Sequence, residues 1–354
     1  VRIVGTGLLG TSAGLALRAR GVDVVLADAS PAALTLAADY GAGRPATAED
    51  VPDLVVVAVP PDVTARVVAA ELDAFPNAIV TDVASVKAQP FAELLDAGAD
   101  IARYLGSHPL AGRERGGAIA ARSDLFVGRP WVLTPHDAAD PRALALVEDL
   151  ALDLDAVPVT MPADEHDASV ALVSHVPQVV SSLLARRLVD APATALGLAG
   201  GGLRDTTRVA ASDPALWVQI LASNAPAVAG VLRAFRDDLD ALLALVAEPE
   251  APGARRGIAE SLAGGNAGVA RIPGKHGQDR RFSQLVVLVD DRPGELARLL
   301  TDIGAVGVNM EEIRLEHSPG APIGLAEISV LPETEARLVA ELADRGWKIA
   351  EAWQ

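Results

Sequence analysis

The chain has 354 residues, half of them hydrophobic, no cysteine and a formal net charge of -17. That length suits two or three domains with cores of their own. The charge excludes binding to a nucleic-acid backbone, which takes clustered Lys and Arg. The lack of cysteine excludes disulfides and thiolate chemistry and fits a reducing, cytoplasmic setting. No run reaches the roughly 18 consecutive apolar residues of a membrane helix, so a soluble protein is expected. The chain opens inside what reads as a strand at Val1 with no basic or cleavable leader before it, the pattern left when a few residues have been trimmed.

From Val1 to about Pro135, VRIV, VDVVLA, LVVVAVP, AIVTDVAS, RYLGSHP and PWVLTP are the expected strands, separated by Ala-rich helical stretches. Continuous apolar strands alternating with helices predict a parallel sheet covered on both faces, a Rossmann-type α/β domain over residues 1–141. Its first turn carries Gly5, Gly7 and Gly10 as G-x-G-x-x-G directly after VRIV and before a helical stretch. The first glycine permits the turn, the second lets backbone approach a pyrophosphate, and the third lets helix pack on strand, with the phosphates at the positive end of the helix. Asp28 ends the second strand, where a carboxylate accepts from both ribose hydroxyls of NAD and repels the extra phosphate of NADP. No arginine follows at 29 or 30 to recruit that phosphate, so NAD is the expected cofactor, with Gly5, Gly7, Leu8, Leu9, Gly10 and Asp28 as its candidate contacts.

Ligands of open α/β sheets lie at the carboxyl ends of the strands. Ser85 in TDVASVK, and Ser107 and His108 in GSHPLAG, are at such ends. An isolated loop histidine is ordinarily bonded to backbone. Beside the nicotinamide half of a dinucleotide fold, a neutral imidazole is also a fitting proton acceptor near neutral pH.

Residues 142–247 change to long helical segments and form an expected all-helical domain. The stretches 164–189 and 213–245 carry more Ala, Leu and Val than one helical layer can bury, which predicts a helical homodimer. DEHD (164–167) and His175 have metal-ligand residue types, but nine residues along a straight helix set His166 and His175 on opposite faces. No metal is expected, and His166 and Asp167 are assigned supporting or packing roles. Residues 248–281, rich in Gly, Pro and Arg, read as a linker with at most one short helix. Residues 282–354 follow the order β-α-β-β-α-β of a small α+β ferredoxin-like domain.

Six segments taken together, GTGLLGTS (5–12), VTDVASVK (80–87), GSHPLAGRE (106–114), MPADEHD (161–167), VSHVPQ (173–178) and GGGLRDTTRVAASDPALW (200–217), resemble the prephenate dehydrogenase family of tyrosine biosynthesis. The resemblance covers nearly the whole chain. It implies hydride transfer from C4 of prephenate to NAD with loss of carbon dioxide, giving 4-hydroxyphenylpyruvate. It makes His108 the base or hydrogen-bond catalyst for the C4 hydroxyl, with Ser85 on the same hydroxyl and orienting His108. Ser107 and His175 then bind substrate, His175 near its side-chain end, and Arg208 holds a carboxylate with its planar fork. Each has a plainer alternative: Ser85 as a helix cap, Arg208 paired with Asp205, His175 as packing beside Pro177. Arg113 and Arg115 depart from the family pattern by adding positive charge after the histidine motif.

Residues 285–316 resemble the ACT domain, a ligand-sensing module of amino-acid metabolism. That implies tyrosine as a regulatory ligand: Pro293 starts a helix, Gly294 leaves its amino end open beside Asp291, and Asn309 or the acids meet the ammonium. Dimerisation alone is the alternative role for this domain. Three rival functions remain. Arogenate, with an amine in place of the keto group, is the alternative substrate. A two-domain dehydrogenase of 3-hydroxyacids or sugar acids typically needs a lysine on its helical domain, and lysine is absent between 88 and 274. A non-catalytic NAD- and amino-acid-sensing regulator has no need of an intact Ser85, His108 and Arg208.

Overall fold

The computed structural model describes residues 1–112, 116–272, 282–317 and 323–350; Arg113 and Arg115 fall outside them. The chain divides into two compact units, Val1–Leu196 with Thr206–Arg236, and Gly197–Asp205 with Asp237–Gln354.

The first unit opens with β1 (Arg2–Val4), α1 (Leu8–Ala19), β2 (Val25–Ala27), α2 (Pro31–Asp39), β3 (Arg44–Pro45), β4 (Leu54–Val57), α3 (Pro61–Ala74), β5 (Ile79–Asp82) and α4 (Ala88–Asp96). It continues through β6 (Tyr104–Pro109), β7 (Pro130–Thr134), α5 (Pro141–Asp153) and β8 (Val157–Thr160). These strands form one sheet in the order β3-β2-β1-β4-β5-β6-β7-β8. Both faces of its centre are covered, as the apolar runs require. Leu54 and Val56 join Ile3, Leu26, Ile79 and Leu105 on one face, while Val55 and Val57 join Val80 and Tyr104 on the other.

Two expectations fail at the edge of this sheet. β7 runs antiparallel to β6, and β8 is parallel to β7, so the sheet is mixed. Among the described residues, the connection from β6 to β7 holds a single 3-10 turn, Ala118–Ala120, and no crossover helix of the kind a parallel return uses. The sheet also extends to Thr160, past the expected boundary at 141. α5 is an amphipathic cover for it, burying Ala143, Val147, Leu150 and Ala151, and is not the first helix of a separate domain.

Helices follow: α6 (Ala163–Val170), a π-helical turn at Ala171–His175, α7 (Val176–Arg186), α8 (Ala193–Leu196), α9 (Gly201–Thr207), α10 (Pro214–Ser223) and α11 (Ala225–Ala247), of which α9 up to Asp205 and α11 from Asp237 are counted with the second unit. Pro177 explains the wide turn: it has no N–H to return to residue 173, and its ring crowds the carbonyl there. The run Ala163–Arg186 is long and apolar enough to cross a membrane by length and composition, with a mean hydropathy of 1.5. It nevertheless carries buried His166, Asp167 and His175.

In the second unit, α12 (Ala254–Val269) is a full helix of 16 residues where a linker with one short helix was expected. Next come β9 (Ser283–Asp290), α13 (Glu295–Val306), β10 (Met310–His317), β11 (Ile323–Val330), α14 (Pro332–Asp344) and β12 (Lys348–Ala350). The sheet order is β10-β11-β9-β12, the arrangement of a ferredoxin-like βαββαβ unit. Its core is Leu285, Val287, Leu299, Ile303, Ile328, Leu338, Leu342 and Trp347.

One buried network in the first unit places the loop between β5 and α4 against β6. Lys87 Nζ donates to Asp82 Oδ1 and, at 2.7 Å, to the carbonyl of Ser107. Tyr104 Oη donates to Asp82 Oδ2 at 2.7 Å, and Ala84 N–H to Asp82 Oδ1 at 2.8 Å. Burial pulls the Lys87 ammonium below its ordinary pKa, with the Asp82 charge opposing, and pushes the Tyr104 phenol up. Gly106 makes room for the lysine: a methyl there would press on Thr134 Oγ1 and touch Lys87 Cδ. Lys87→Met leaves Asp82 as an unpaired buried charge, and urea unfolding is expected to show a loss of about 3–5 kcal/mol. A loss under about 1 kcal/mol would mean that the pair contributes no more than a surface ion pair.

Candidate active site

At the nucleotide end, Gly5 adopts φ +98°, and a methyl there would overlap the carbonyl of Ala58; one on Gly10 would overlap the carbonyl of Gly5. Gly7, the N-cap of α1, faces open space, and the first turn of α1 carries no acid. The residues therefore fit a dinucleotide: bare N–H groups at a helix start with nothing repelling phosphate. Leu8 and Leu9 are the first residues of α1, both half-buried, with Leu9 packed on the sheet core. Asp28 follows β2 and is held in place, Oδ2 accepting from Thr6 N (2.6 Å) and Thr6 Oγ1 (2.7 Å), Oδ1 from Ser30 N (2.8 Å). Oδ1, with one donor against the two on Oδ2, retains acceptor capacity for a ribose hydroxyl.

His108 sits at the carboxyl end of β6, 8% exposed. Its Nδ1 lies 2.8 Å from His166 Nε2, and His166 Nδ1 lies 2.8 Å from Asp167 Oδ1. The Asp167 carboxylate also accepts from the N–H groups of Lys87 (2.8 Å) and Ala88 (2.9 Å), so it closes the open amino end of α4 as an external cap. One acid thus ties α6 to the loop that holds Ser85. Burial first, then the charges of His166, Lys87 and His175, holds the His108 imidazole well below its ordinary pKa.

His175 ends the π-helical turn, almost fully buried, edge-on to Trp217 with ring centres 6.0 Å apart. Asn224 Nδ2 lies 3.2 Å from His175 Nδ1 and donates to the carbonyl of Asp167 at 2.7 Å. Burial lowers the His175 pKa to about 4, with His166 adding to the effect and Asp167 opposing it. The straight-helix argument that set His166 and His175 on opposite faces fails here. The wide turn between them rotates the helix, and both rings meet the environment of Asp167.

Other sequence-derived assignments change. Ser107 is fully buried; its hydroxyl accepts from Thr81 Oγ1 at 3.0 Å and donates to the carbonyl of Asp82 at 2.8 Å, so it serves the sheet and is not a substrate ligand in this arrangement. Ser85 is half-buried in the β5–α4 loop and, among the described residues, makes no hydrogen bond to His108, which His166 orients instead. Arg208 is exposed on a 3-10 turn, Arg208–Ala211, that packs against α7. Asn224 and Lys87 are what the sequence reading missed as site residues, whereas His166 and Asp167, assigned supporting or packing roles there, stand behind His108. A signal was present for Lys87, the only lysine before position 275 in the chain.

The proposed regulatory residues do not converge within one copy of the second unit. Asp291, Pro293 and Gly294 follow the end of β9, with Gly294 at φ +93° as the N-cap of α13; the helix begins at Glu295, so Pro293 lies in the turn before it. Asn309 precedes β10 at the opposite end of the sheet. Met310 and Ser283 both pair with Val330, whereas Asp290 pairs with Ile323, seven residues along, or about 23 Å. Asn309 Nδ2 donates instead to Glu311 Oε1 at 3.4 Å.

Because folding depresses the His175 pKa from about 6.5 to about 4, the unfolded chain binds a proton through that window that the folded chain refuses. Stability is expected to fall as pH drops from 6.5 towards 4. Urea midpoints at pH 7 and pH 5 should draw together in His175→Gln; an equal drop in wild type and variant would remove His175 as the cause.

Residues 13–160 match the family profile "Prephenate dehydrogenase, nucleotide-binding domain", and residues 162–260 match "Prephenate dehydrogenase, dimerization domain". The probable prephenate dehydrogenase NovF of Streptomyces niveus is 40% identical, over 98% of this chain and 98% of that one. Among solved structures, the prephenate dehydrogenase of A. aeolicus in complex with hydroxyphenyl propionate and NAD+ aligns with TM-score 0.68 and 28% identity, covering 77% of this chain and 97% of that one. The arogenate dehydrogenase of Synechocystis aligns with TM-score 0.60 and 28% identity, over 75% of this chain and 98% of that one. Two profiles that together span more than half of the chain, and a relative similar from end to end, place this protein in the prephenate dehydrogenase family as an NAD-dependent oxidoreductase.

Proposed function

We propose that the chain oxidises prephenate with NAD, releasing carbon dioxide and 4-hydroxyphenylpyruvate, and that His108 is the proton acceptor of that reaction. The observation that carries the residue assignment is the hydrogen bond between His108 Nδ1 and His166 Nε2, which leaves Nε2 of a buried, neutral His108 as its lone-pair atom. NAD, when bound at Gly5, Gly7, Gly10 and Asp28, supplies the hydride acceptor. His108 takes the C4 hydroxyl proton as the C4 hydride departs. When the bond from C1 to its carboxylate breaks, the electron pair enters the ring and reaches the C4 oxygen, and His108 returns the proton there. No net proton is lost, so His108 needs a low but not permanent affinity for it. Ser85 and Arg208 remain the proposed partners for the hydroxyl and for a carboxylate.

His175 favours prephenate over arogenate: burial keeps its ring neutral, and among the described residues the acid beside it is Asp167, whose carboxylate is already committed. We further propose a homodimer through the helical region. Among the described residues its buried cluster is Ala171, Val176 and Val228 with partly buried neighbours, while Leu172, Val173, Leu183, Val189 and Val218 are exposed. The cytosol is the proposed site of action. The ferredoxin-like region is proposed to be an ACT-like sensor of tyrosine, acting through the Asp291–Gly294 turn.

The pure protein is expected to generate NADH with prephenate and NAD, and to do so less efficiently with arogenate. His108→Asn should lose roughly 10²- to 10⁴-fold in kcat with little change in KM. In wild type the acid limb of kcat should lie below 6.5, because the depressed pKa keeps the base form present at lower pH. An acid limb at or above 6.5, or one retained in His108→Asn, would exclude this role.

A protein ending at residue 281 is expected to remain active and to lose any inhibition by tyrosine. Steady-state rates with added tyrosine test this. Full inhibition in the shortened protein would place tyrosine at the active site.

A further inference from the structure

The two buried imidazoles at this site have opposite hydrogen-bonding requirements, and both lead back to one residue. A carboxylate only accepts, so His166 must donate from Nδ1 to Asp167 Oδ1. In the neutral form of His166, Nε2 is then the lone pair, and His108 donates to it from Nδ1. His108 is left with an unprotonated Nε2. On the other side, the backbone carbonyl of Asp167 also only accepts, which fixes the nearby atom of Asn224 as its amide nitrogen. That nitrogen has a second proton, directed at His175 Nδ1, so Nδ1 carries the lone pair and the neutral ring carries its proton on Nε2.

We infer that Asp167 is a positioning residue that assigns the tautomers of both site histidines, making His108 an acceptor through its carboxylate and His166, and His175 a donor through its carbonyl and Asn224. The inference deepens the proposed function and rests on it for the meaning of the two roles. An acceptor at His108 suits a hydroxyl that must give up its proton. A donor at His175 suits a keto oxygen and has no lone pair to offer an ammonium. The groups facing His108 are His166, Lys87 and His175, and burial above all disfavours its protonation. The neutral ring therefore has two tautomers to choose between, and the hydrogen bond from Nδ1 makes the choice.

The direct test is nitrogen NMR of the full-length protein labelled at its histidines, at pH 7, with the signals assigned by their loss in His108→Asn and His175→Gln. The expected result is an Nδ1–H tautomer for His108 and an Nε2–H tautomer for His175. The same tautomer in both, or either one reversed, overturns the inference, and this readout needs no turnover. Failure of the functional proposal would instead appear as wild-type protein that makes no NADH from prephenate.

A kinetic arm separates positioning from simple support. His166→Leu removes the acceptor, whereas His166→Gln retains an amide oxygen of similar reach. With NADH binding intact in both, kcat is expected to fall about 10²- to 10³-fold in His166→Leu with KM within a few fold, and to recover to within about tenfold of wild type in His166→Gln. The acid limb of kcat should shift in His166→Leu, since the ring that accepts from His108 Nδ1 is gone. Equal losses in the two variants with an unmoved acid limb would make His166 a packing residue only.

Discussion

Lys87 and Asp82 face each other with almost no access to water, and the site depends on their remaining paired. The cost of burying two charges is offset because further partners are in place: Tyr104 and Ala84 on the acid, the Ser107 carbonyl on the ammonium. The partners come from β5, from the loop after it and from β6, so the pair sets the distance between the strand end that carries His108 and the loop that carries Ser85. Asp167 then reaches the same loop from α6 through Lys87 N–H and Ala88 N–H. Sheet, loop and helix are joined by polar contacts in a dry place, where a missing partner costs most.

The parts of this arrangement that could be read from sequence are those where one residue type has one use. The glycines at 5 and 10 cannot carry a side chain against the backbone they touch, so their spacing announced the nucleotide turn. His108 was legible because it stands at the carboxyl end of a strand, beside the nicotinamide half of a dinucleotide fold, where ligands of open α/β sheets lie. Strand direction was not legible. The run PWVLT is apolar on both faces whichever way it points, and its pairing with β6 is what shows that β7 turns back. Likewise α5 carries an ordinary amphipathic pattern that suits a sheet cover and a helical domain equally.

Ser107 and the histidine pair show a second limit. Position in sequence puts Ser107 beside His108, but alternation along a strand turns neighbouring side chains to opposite faces. Its hydroxyl therefore ends among Thr81 and Asp82. For His166 and His175 the spacing argument assumed an unbroken α-helix, and Pro177 broke the assumption two residues beyond the second histidine. The tail failed differently. Turn and asparagine were both visible, but the strand count between them sends Asn309 to the far end of its sheet.

The π-helical turn at Ala171–His175 couples two surfaces that would otherwise vary independently. It is in effect one residue more than an α-helix needs there, and each residue of an α-helix is worth about 100° of rotation. Loss of a single residue from this turn would leave α6 and its hold on His108 in phase while swinging all of α7 round by about a quarter-turn or more. Leu183 and Leu184 would leave the side of the molecule they now occupy as His175 left the Asn224 amide. Length changes here are therefore gear shifts: the chain can accept substitutions along α7 one at a time, but an insertion or deletion in the turn alters the substrate end of the site and the outer apolar face in the same step.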